Sequence, residues 1–398
     1  GGAVGQDGKI YCGRHNEKGF LIIDPDVGKA YTFGGAPEWQ NSQQESGMVS
    51  HPNGKIYTCP ASNGGIKEID PLNKTYYDWY PGTSPGFEFS QTVGGSIYPA
   101  QKFCNGVVAP NNNCIYYIPD AADQILKVDP STRTQTLIGT QCPYQGFEPT
   151  STNYKTWNNS GRHKYIQGVL GKDGNIYMFG NTANNPRISK LDPRTDTVTW
   201  NHLEYDGNLY GYNYPSGIIK DASGNDIEKY WSSAIAGPDG LIYLIPDQWP
   251  WIHTFDPAAG GAGLAPQMGS VTAITNNNMK SAAVGTTSGN NPITNANDDQ
   301  KTCGAVVGAD GNIYCGPEKT GAAKILKIYT GRNKSVVNYG YEFIDLQGWT
   351  GAYDGFHSAV LAPNGHMYLV PGDVKSTGPQ GVVEVHLGTA SKPAPWTY

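Results

Sequence analysis

The stretch GVLGKDGNIYMF at residues 168–179 predicts the fold, because close copies of it recur along the whole chain. Each copy has a small apolar pair, an Asp-Gly, Asn-Gly or Asn-Asn turn and, one residue later, Ile-Tyr or Met-Tyr. Such a turn between two apolar runs is typical of a β-hairpin, since Gly and Asn tolerate a positive φ. The copies lie at 2–12, 47–59, 106–118, 168–179, 234–245, 305–315 and 359–370, with anchor tyrosines Tyr11, Tyr57, Tyr116, Tyr177, Tyr243, Tyr314 and Tyr368.

A second phrase, a short alternating apolar run that closes with Asp-Pro, follows each of the first five tyrosines. The alternation has the period of two that a half-buried strand requires. The sixth and seventh copies have ILKIYTG at 325–331 and VVEVHLG at 382–388 instead. Each unit is therefore predicted to have four strands. Strand A precedes the Asp-Gly turn, strand B carries Ile-Tyr, strand C precedes Asp-Pro, and strand D follows it.

Seven four-stranded units in tandem predict an all-β fold, a single seven-bladed β-propeller with antiparallel blades over residues 1–398. The mean repeat of about 57 residues exceeds the ~40–50 of common propeller blades, and the excess lies in a few insertions. A β-solenoid requires shorter and more uniform rungs. Seven independent sandwiches would each have a core that is too small. The blades are predicted to start near residues 1, 46, 104, 165, 231, 302 and 356.

Composition agrees with a turn-rich β protein. The 398 residues include 52 Gly and 28 Pro, which disfavour long helices. Only 16% of the residues are charged and the net charge is −6, with no block of Lys or Arg. We therefore expect neither nucleic acid nor an anionic membrane as a main partner. No run of 18 apolar residues exists, so membrane insertion is not expected.

The repeat resembles a broad group of seven-bladed propellers with D-G-x-I-Y and I-D-P-x-T phrases. This group includes the streptogramin (virginiamycin B) lyase-like and NHL-like propellers and uncharacterised repeat proteins of algae and large viruses. The resemblance covers essentially the whole chain and implies an architecture. Streptogramin lyases usually have Trp-Phe-Thr after the Asp-Gly turn, whereas this chain has Ile-Tyr or Met-Tyr. The resemblance therefore does not carry the lyase activity over to this chain.

Four insertions are predicted to lie on one face of the propeller, opposite the Asp-Gly and Asp-Pro turns. They span residues 80–100, 140–164, 201–229 and 260–300, and the last is expected to be an interaction segment or disordered. Aromatic side chains on such loops often grip sugars or partner proteins, although they can also pack within their own loops. The candidate ligand-binding residues on loops are Trp157, Tyr205, Tyr210, Tyr212, Tyr214, Trp249 and Trp251.

The residues just before each strand A are predicted to line the mouth of the central channel. Three aromatic residues there, Phe103, Tyr165 and Trp231, are further ligand-binding candidates. Glu45 and His357 belong to blades 2 and 7, which both adjoin blade 1, and a His–Glu pair could perform the acid/base steps of an elimination. The alternative is a polar ring that holds water. Asn105, Gln167, Ser233 and Thr302 are among the other channel candidates.

The cysteines and histidines offer weaker signals. Cys104 and Cys114, and likewise Cys303 and Cys315, flank one hairpin each and could form disulfides, or could be small buried strand residues. The eight histidines contain no H-x-x-x-H pair, so no metal site and no cofactor are expected. Asn73, Asn158 and Asn333 lie in N-x-S/T sequons and are candidates for glycosylation in a secreted protein.

These observations predict a non-enzymatic recognition or assembly module, located outside the cell or on the surface of a particle such as a virion. Its partner would be a glycan or a protein subunit, bound through the loops, and it could be part of a larger assembly. One alternative is a streptogramin-lyase-like or polysaccharide-lyase-like enzyme that uses His357 and Glu45. Another is a structural subunit of an extracellular filament or virion. The fold alone does not choose among these functions.

Overall fold

The protein is built from β-strands. The structure, a computed structural model, describes residues 1–13, 19–34, 45–60, 65–79, 90–93, 96–99, 103–120, 122, 124–140, 165–180, 188–200, 231–246, 251–257, 279–283, 302–317, 324–330, 341–345, 356–371 and 381–387. No helix occurs in these residues, so none of them forms a helix that could cross a membrane.

The first three blades are four-stranded, and a separate hairpin follows the second. Blade 1 has β1 (Gly2–Val4), β2 (Ile10–Cys12), β3 (Phe20–Asp24) and β4 (Lys29–Phe33). Blade 2 has β5 (Glu45–Ser50), β6 (Ile56–Pro60), β7 (Ile66–Asp70) and β8 (Thr75–Trp79). The hairpin has β9 (Ser90–Val93) and β10 (Ser96–Pro99). Blade 3 has β11 (Phe103–Val108), β12 (Ile115–Pro119), β13 (Ile125–Asp129) and β14 (Thr134–Ile138).

The remaining blades repeat this pattern. Blade 4 has β15 (Gln167–Leu170), β16 (Ile176–Phe179), β17 (Ile188–Asp192) and β18 (Thr197–Thr199). Blade 5 has β19 (Trp231–Ala236), β20 (Ile242–Pro246), β21 (Trp251–Phe255) and β22 (Met279–Ala283). Blade 6 has β23 (Thr302–Val307), β24 (Ile313–Pro317), β25 (Lys324–Ile328) and β26 (Tyr341–Asp345). Blade 7 has β27 (Phe356–Leu361), β28 (Met367–Pro371) and β29 (Val383–Val385) among the described residues.

Strand A is the innermost strand of every blade. Within each blade the strands pair antiparallel in chain order, and consecutive blades touch through their A strands. Strand β27 of blade 7 also contacts β1 of blade 1, which closes the ring. This arrangement confirms the predicted all-β, seven-bladed propeller.

The A–B turn has the same hydrogen bonds in all seven blades. In blade 1 the Asp7 carboxylate accepts the backbone N–H of Lys9 at 3.2 Å and the Tyr11 hydroxyl at 2.9 Å. Blades 4, 5 and 6 also use Asp, whereas blades 2, 3 and 7 use Asn, whose amide donates to the tyrosine oxygen. These seven tyrosine bonds measure 2.7–3.0 Å. Within each A–B turn, the residue after the Asp or Asn adopts a positive φ; it is Gly in six blades and Asn113 in blade 3.

The anchor tyrosine of each blade packs toward the next blade. Tyr11 lies with Ile56 and Ile69 of blade 2 in one buried cluster. The Tyr116 hydroxyl of blade 3 reaches Asp196 of blade 4 at 2.8 Å. Tyr368 of blade 7 is buried beside blade 1 and so contributes to closing the ring. All seven tyrosines are at most 5% exposed, so the repeated phrase forms both a turn and an interface between blades.

The C–D turns follow the Asp-Pro phrase. The carboxylates of Asp24, Asp70, Asp129 and Asp192 each accept the backbone N–H two residues ahead, at 2.9–3.2 Å. Hydrogen bonds to a carboxylate favour its charged form. The pKa of each of these four carboxyls is accordingly lowered, with a side-chain hydrogen bond as the largest cause.

The predicted insertion at 260–300 includes strand β22, so residues 260–278 precede a strand of the same blade. Met279 pairs with Phe255, so β22 is the outer strand D of blade 5. The segment 258–278 therefore connects strand C to strand D and starts from the face of the turns. The sequence did not indicate strand D here, because no Asp-Pro-x-Thr continuation marks it at its usual distance. Similarly, the predicted insertion at 80–100 includes the hairpin β9–β10.

The disulfides considered from the sequence are not formed. No disulfide joins Cys104 to Cys114 or Cys303 to Cys315. Cys104 and Cys114 lie at opposite ends of their hairpin, five residue pairs apart, or roughly 16 Å, which no disulfide can bridge. Cys303 packs against blade 7 whereas Cys315 packs against blade 5, so their sulfurs lie on opposite faces of one sheet. The alternative interpretation, small buried strand residues, fits Cys303 and Cys315, whereas Cys104 is partly buried and Cys114 lies just before β12.

We predict that Tyr243→Phe lowers the free energy of unfolding by about 1 to 3 kcal/mol, because it removes a buried hydrogen bond to a carboxylate. Urea unfolding followed by circular dichroism measures the change. Tyr77→Phe is the matched control, since the Tyr77 side chain is 54% exposed and should leave the midpoint unchanged. Equal midpoints for wild type and Tyr243→Phe would contradict a stabilising role for the anchor.

We also predict loss of stability at alkaline pH. Burial is the largest cause that raises the pKa of Tyr57, Tyr314 and Tyr368 to about 12. A folded-state pKa above the usual ~10 stabilises the protein fully below pH ~10, and this contribution is lost as the pH rises through about 12. Phenolate absorbance recorded with circular dichroism should show exposed tyrosines ionising first and the anchors ionising together with unfolding. Ionisation of all 26 tyrosines near pH 10 in a folded protein would contradict the prediction.

Candidate functional site

The ends of the strands divide the molecule into two faces. The A–B and C–D turns lie on one face, which we call the turn face. Strand D of each blade ends, and strand A of the next begins, on the opposite face, which we call the loop face. The long connections 80–102, 141–164, 201–230 and 284–301 join strand D to strand A and thus start and end on the loop face.

The loop aromatics singled out from the sequence lie, in the chain, on connections that start and end on this face or at the start of β21. Trp157, Tyr205, Tyr210, Tyr212, Tyr214 and Trp249 lie outside the described residues. Trp251 begins β21, and its side chain also lies outside the description. Their role in binding therefore stays a prediction.

Three other aromatic candidates are part of the core. Phe103, Tyr165 and Trp231 are each at most 1% exposed. Tyr165 hydrogen-bonds the Ser189 hydroxyl at 2.7 Å and stacks on Trp200, with ring centroids 6.1 Å apart. Their side chains pack in the protein interior, which gives no support to ligand binding by these three residues, and their role in binding stays a prediction. Their position in the sequence, next to an inner strand, did not show that these side chains are buried in the core.

The proposed acid/base pair is only partly described. Strand β27 has a register shift between Phe356 and Ser358, and the intervening His357 is exposed. Glu45 begins β5, and its side chain lies outside the described residues. Both residues stand at the loop-face end of A strands that contact β1. Their joint action in catalysis stays a prediction.

The amides on the inner strands are used to hold the blades together. The Asn105 side chain accepts the Gly168 N–H at 3.0 Å and donates to the Gly168 carbonyl at 3.4 Å. Gln167 accepts the Ala234 N–H at 3.1 Å. Both residues therefore link the A strands of neighbouring blades, 3 to 4 and 4 to 5.

The A strands of blades 6 and 7 approach so closely that a side chain would not fit between them. Gly304 has a φ of +53°, and a Cβ there would lie 2.6 Å from the Ala359 nitrogen. A glycine is required both for the conformation and for the space. The inner wall is thus a rigid support for the loops above it.

One buried carboxylate joins blades 2 and 3. Glu68 accepts the Trp79 indole N–H at 3.1 Å and lies 2.9 Å from the Lys55 ammonium. Arg133 of blade 3 reaches the same carboxylate at 3.6 Å and covers the ring of Tyr77. Two cations and one indole N–H donor therefore surround the buried carboxylate, which identifies a structural cluster.

A second polar cluster lies on the turn face of blade 7. The Glu384 Oε1 atom lies 2.5 Å from Nδ1 of His366 and 3.8 Å from Nε2 of His386. The Tyr368 hydroxyl donates to the same oxygen at 2.8 Å. The His366 hydrogen bond is the largest cause that lowers the pKa of Glu384. We call His366, Glu384 and His386 the His–Glu–His cluster, and its three ligand atoms lie within 4.8 Å of one another.

Sequence reasoning missed this cluster because it looked for closely spaced histidines. A usable signal was the alignment of the seven repeats: His366 and His386 occupy positions that hold Lys9 and Asp24 in blade 1. Only the pairing of β28 with β29 shows that His366 and His386 are neighbours.

Of the three sequons, one lies in the described residues. Asn73 is exposed in the C–D turn of blade 2, where its amide donates to Asp70 at 3.0 Å. Asn158 and Asn333 lie outside the description.

Comparison with known proteins places the chain among seven-bladed β-propellers by structure alone. The sequence matches no protein-family model and no curated protein. A streptogramin B lyase superposes with a TM-score of 0.56 at 14% identity, covering 93% of this chain and 89% of that one. Virginiamycin B lyase from Staphylococcus aureus gives 0.56 at 12% identity, with 93% and 90% covered. Hydrazine synthase of Kuenenia stuttgartiensis gives 0.56 at 11% identity, with 96% and 93% covered. At such low identities the likeness shows the fold.

We predict that Asn105→Ala lowers the free energy of unfolding by about 1 to 3 kcal/mol, since it removes two hydrogen bonds and leaves the Gly168 backbone groups without that partner. Chemical denaturation measures the loss. Asn111→Ala, an exposed asparagine in the A–B turn of the same blade, is the control and should behave as wild type. Equal stabilities for the two variants would refute a structural role for the Asn105 amide.

Proposed function

We propose that the protein is a non-enzymatic recognition module that binds a glycan or a protein subunit through its loop face, outside the cell or on the surface of a particle. The observation that carries the proposal is the contrast between the two faces. All seven A–B turns and the C–D turns of blades 1 to 4 are short and hydrogen-bonded, although the 258–278 connection of blade 5 also starts from the turn face. The three longest connections, 80–102, 141–164 and 201–230, all start and end on the loop face.

The composition of these connections supports a polar, uncharged type of recognition. Residues 205–214 contain four tyrosines interspersed with Gly and Asn, and a short B–C connection contributes Trp249. Aromatic rings stack on the apolar faces of sugars and anchor protein interfaces, and amides supply hydrogen bonds. The low charged fraction makes ionic partners a poorer match.

The scaffold beneath these loops supports the proposal as well. Buried tyrosines and inner-strand amides connect each blade to its neighbours, so the loop anchors are held at fixed spacings. A rigid frame with variable loops lowers the entropy lost on binding.

A second candidate function, a lyase, is favoured by the position of His357. This exposed histidine lies on an inner strand of the ring, and the structurally similar proteins include a streptogramin B lyase. In this alternative His357 would act as a base and Glu45 as its partner. The channel mouth, not the loop aromatics, would then determine activity.

We predict that the triple variant Tyr210→Ala, Tyr212→Ala and Trp249→Ala loses at least about tenfold in affinity for its ligand, because each aromatic anchor typically contributes over 1 kcal/mol. Binding is measured on a glycan array and, for protein partners, by co-purification from the source particle followed by titration with the purified subunit. His357→Ala is the matched control and should bind as wild type.

Two outcomes would contradict the recognition proposal. One is unchanged binding by the triple variant, with its thermal melting equal to that of wild type. The other is hydrolysis-free cleavage of a streptogramin B or of an acidic polysaccharide by wild type that His357→Ala abolishes, which would establish the lyase alternative.

A further inference from the structure

The His–Glu–His cluster on the turn face has no part in recognition by the loop face. We propose that it binds a divalent transition-metal ion of the zinc type, through Nδ1 of His366, Oε1 of Glu384 and Nε2 of His386. The site would lie on blade 7, where the ring closes onto blade 1.

The distances suit such an ion. Zinc binds imidazole nitrogen and carboxylate oxygen at about 2.0–2.2 Å, so neighbouring ligand atoms in a tetrahedral site lie roughly 3.3 Å apart. The two measured separations from Oε1, 2.5 Å to His366 and 3.8 Å to His386, lie on either side of that value. The two imidazole rings are 3.9 Å apart between centroids. All three ligand atoms lie within 4.8 Å of one another, so rotation of the two imidazole side chains would be needed to bring them around one ion.

The carboxylate is oriented from outside the cluster. The Tyr368 hydroxyl donates to Oε1 of Glu384 at 2.8 Å, and the Asn364 amide donates to that hydroxyl at 3.0 Å. Tyr368 is 3% exposed, so this relay is anchored in the core. Hydrogen bonds that orient ligating side chains are typical of built metal sites.

Comparison with blade 2 shows that these positions favour a cation. The residues equivalent to the His–Glu–His cluster are Lys55, Glu68 and Asp70, because Tyr57 pairs with Glu68 as Tyr368 pairs with Glu384. In blade 2 the Lys55 ammonium lies 2.9 Å from Glu68 and 3.6 Å from Asp70. Blade 7 retains the glutamate and replaces the lysine and the aspartate with two imidazoles. A bound metal ion would supply the positive charge that lysine supplies in blade 2.

The donor set selects the class of ion. Two imidazoles with one carboxylate suit zinc and neighbouring transition metals, whereas Mg²⁺ and Ca²⁺ prefer oxygen ligands. Three protein ligands leave a fourth position for water. The His386 side chain is 70% exposed, so the ion can reach the site from solvent.

Equilibrium dialysis of the full chain, prepared without a histidine tag, against Zn²⁺ tests the proposal. We expect about one tightly bound Zn²⁺ per chain and a rise in melting temperature with Zn²⁺ concentration. His386→Ala should weaken Zn²⁺ binding by at least about 100-fold and remove the rise in melting temperature. Losing a residue that only orients a ligand costs up to about 100-fold in metal affinity, and losing a ligand itself should cost at least as much. Mg²⁺ at the same concentration should leave the melting temperature unchanged.

Two further variants keep the test decisive. Glu384→Gln removes the negative charge at constant size and should also weaken Zn²⁺ binding. It replaces His386→Ala as the test variant if His386→Ala folds poorly. His51→Ala, which removes a turn-face imidazole in blade 2, is the matched control and should retain the site. The proposal is overturned if wild type binds no stoichiometric Zn²⁺, if both cluster variants bind it as wild type does, or if His51→Ala loses it equally.

Discussion

The hydrogen bond between the anchor tyrosine and the turn residue four positions before it is the interaction on which the rest of the structure depends. It occurs in all seven blades and is short, and the tyrosine is buried each time. The tyrosine side chain, which belongs to strand B, hydrogen-bonds the A–B turn and packs against the next blade. Local and long-range order thus rely on one residue per repeat, which explains why Ile-Tyr is the most regular feature of the sequence.

This dependence also explains how much of the fold could be predicted. Both partners of the tyrosine bond lie within five residues, so a short window of sequence contained the turn, the two strands and the repeat count. The direction of a side chain at the edge of a strand needs the register and the neighbouring blade. For that reason the sequence offered Phe103 and Trp231 as candidates for a ligand surface although both are buried. It likewise left a disulfide between Cys303 and Cys315 open, although the two residues lie on opposite faces of one sheet.

The candidate sites were less predictable than the fold. The His–Glu–His cluster brings together two stretches nearly 20 residues apart, and only the pairing of Tyr368 with Glu384 makes them neighbours. No short motif describes such a site. The loop aromatics differ from this cluster, because their clustering in the chain is evident from the sequence. Their arrangement in space could not be predicted, because the long connections that carry them have no repeat.

The way in which the ring closes has a consequence for how the protein folds. Every strand ladder pairs strands that are consecutive in the chain, and blades meet mainly through side chains. Each sheet can therefore form early and at little entropic cost, as in a linear array of repeats. The contact of β1 with β27 is different, because it joins residues more than 350 positions apart. The entropy of closing such a loop grows only as the logarithm of its length. Ring closure is thus the contact between the most distant parts of the chain, and its entropic cost remains modest.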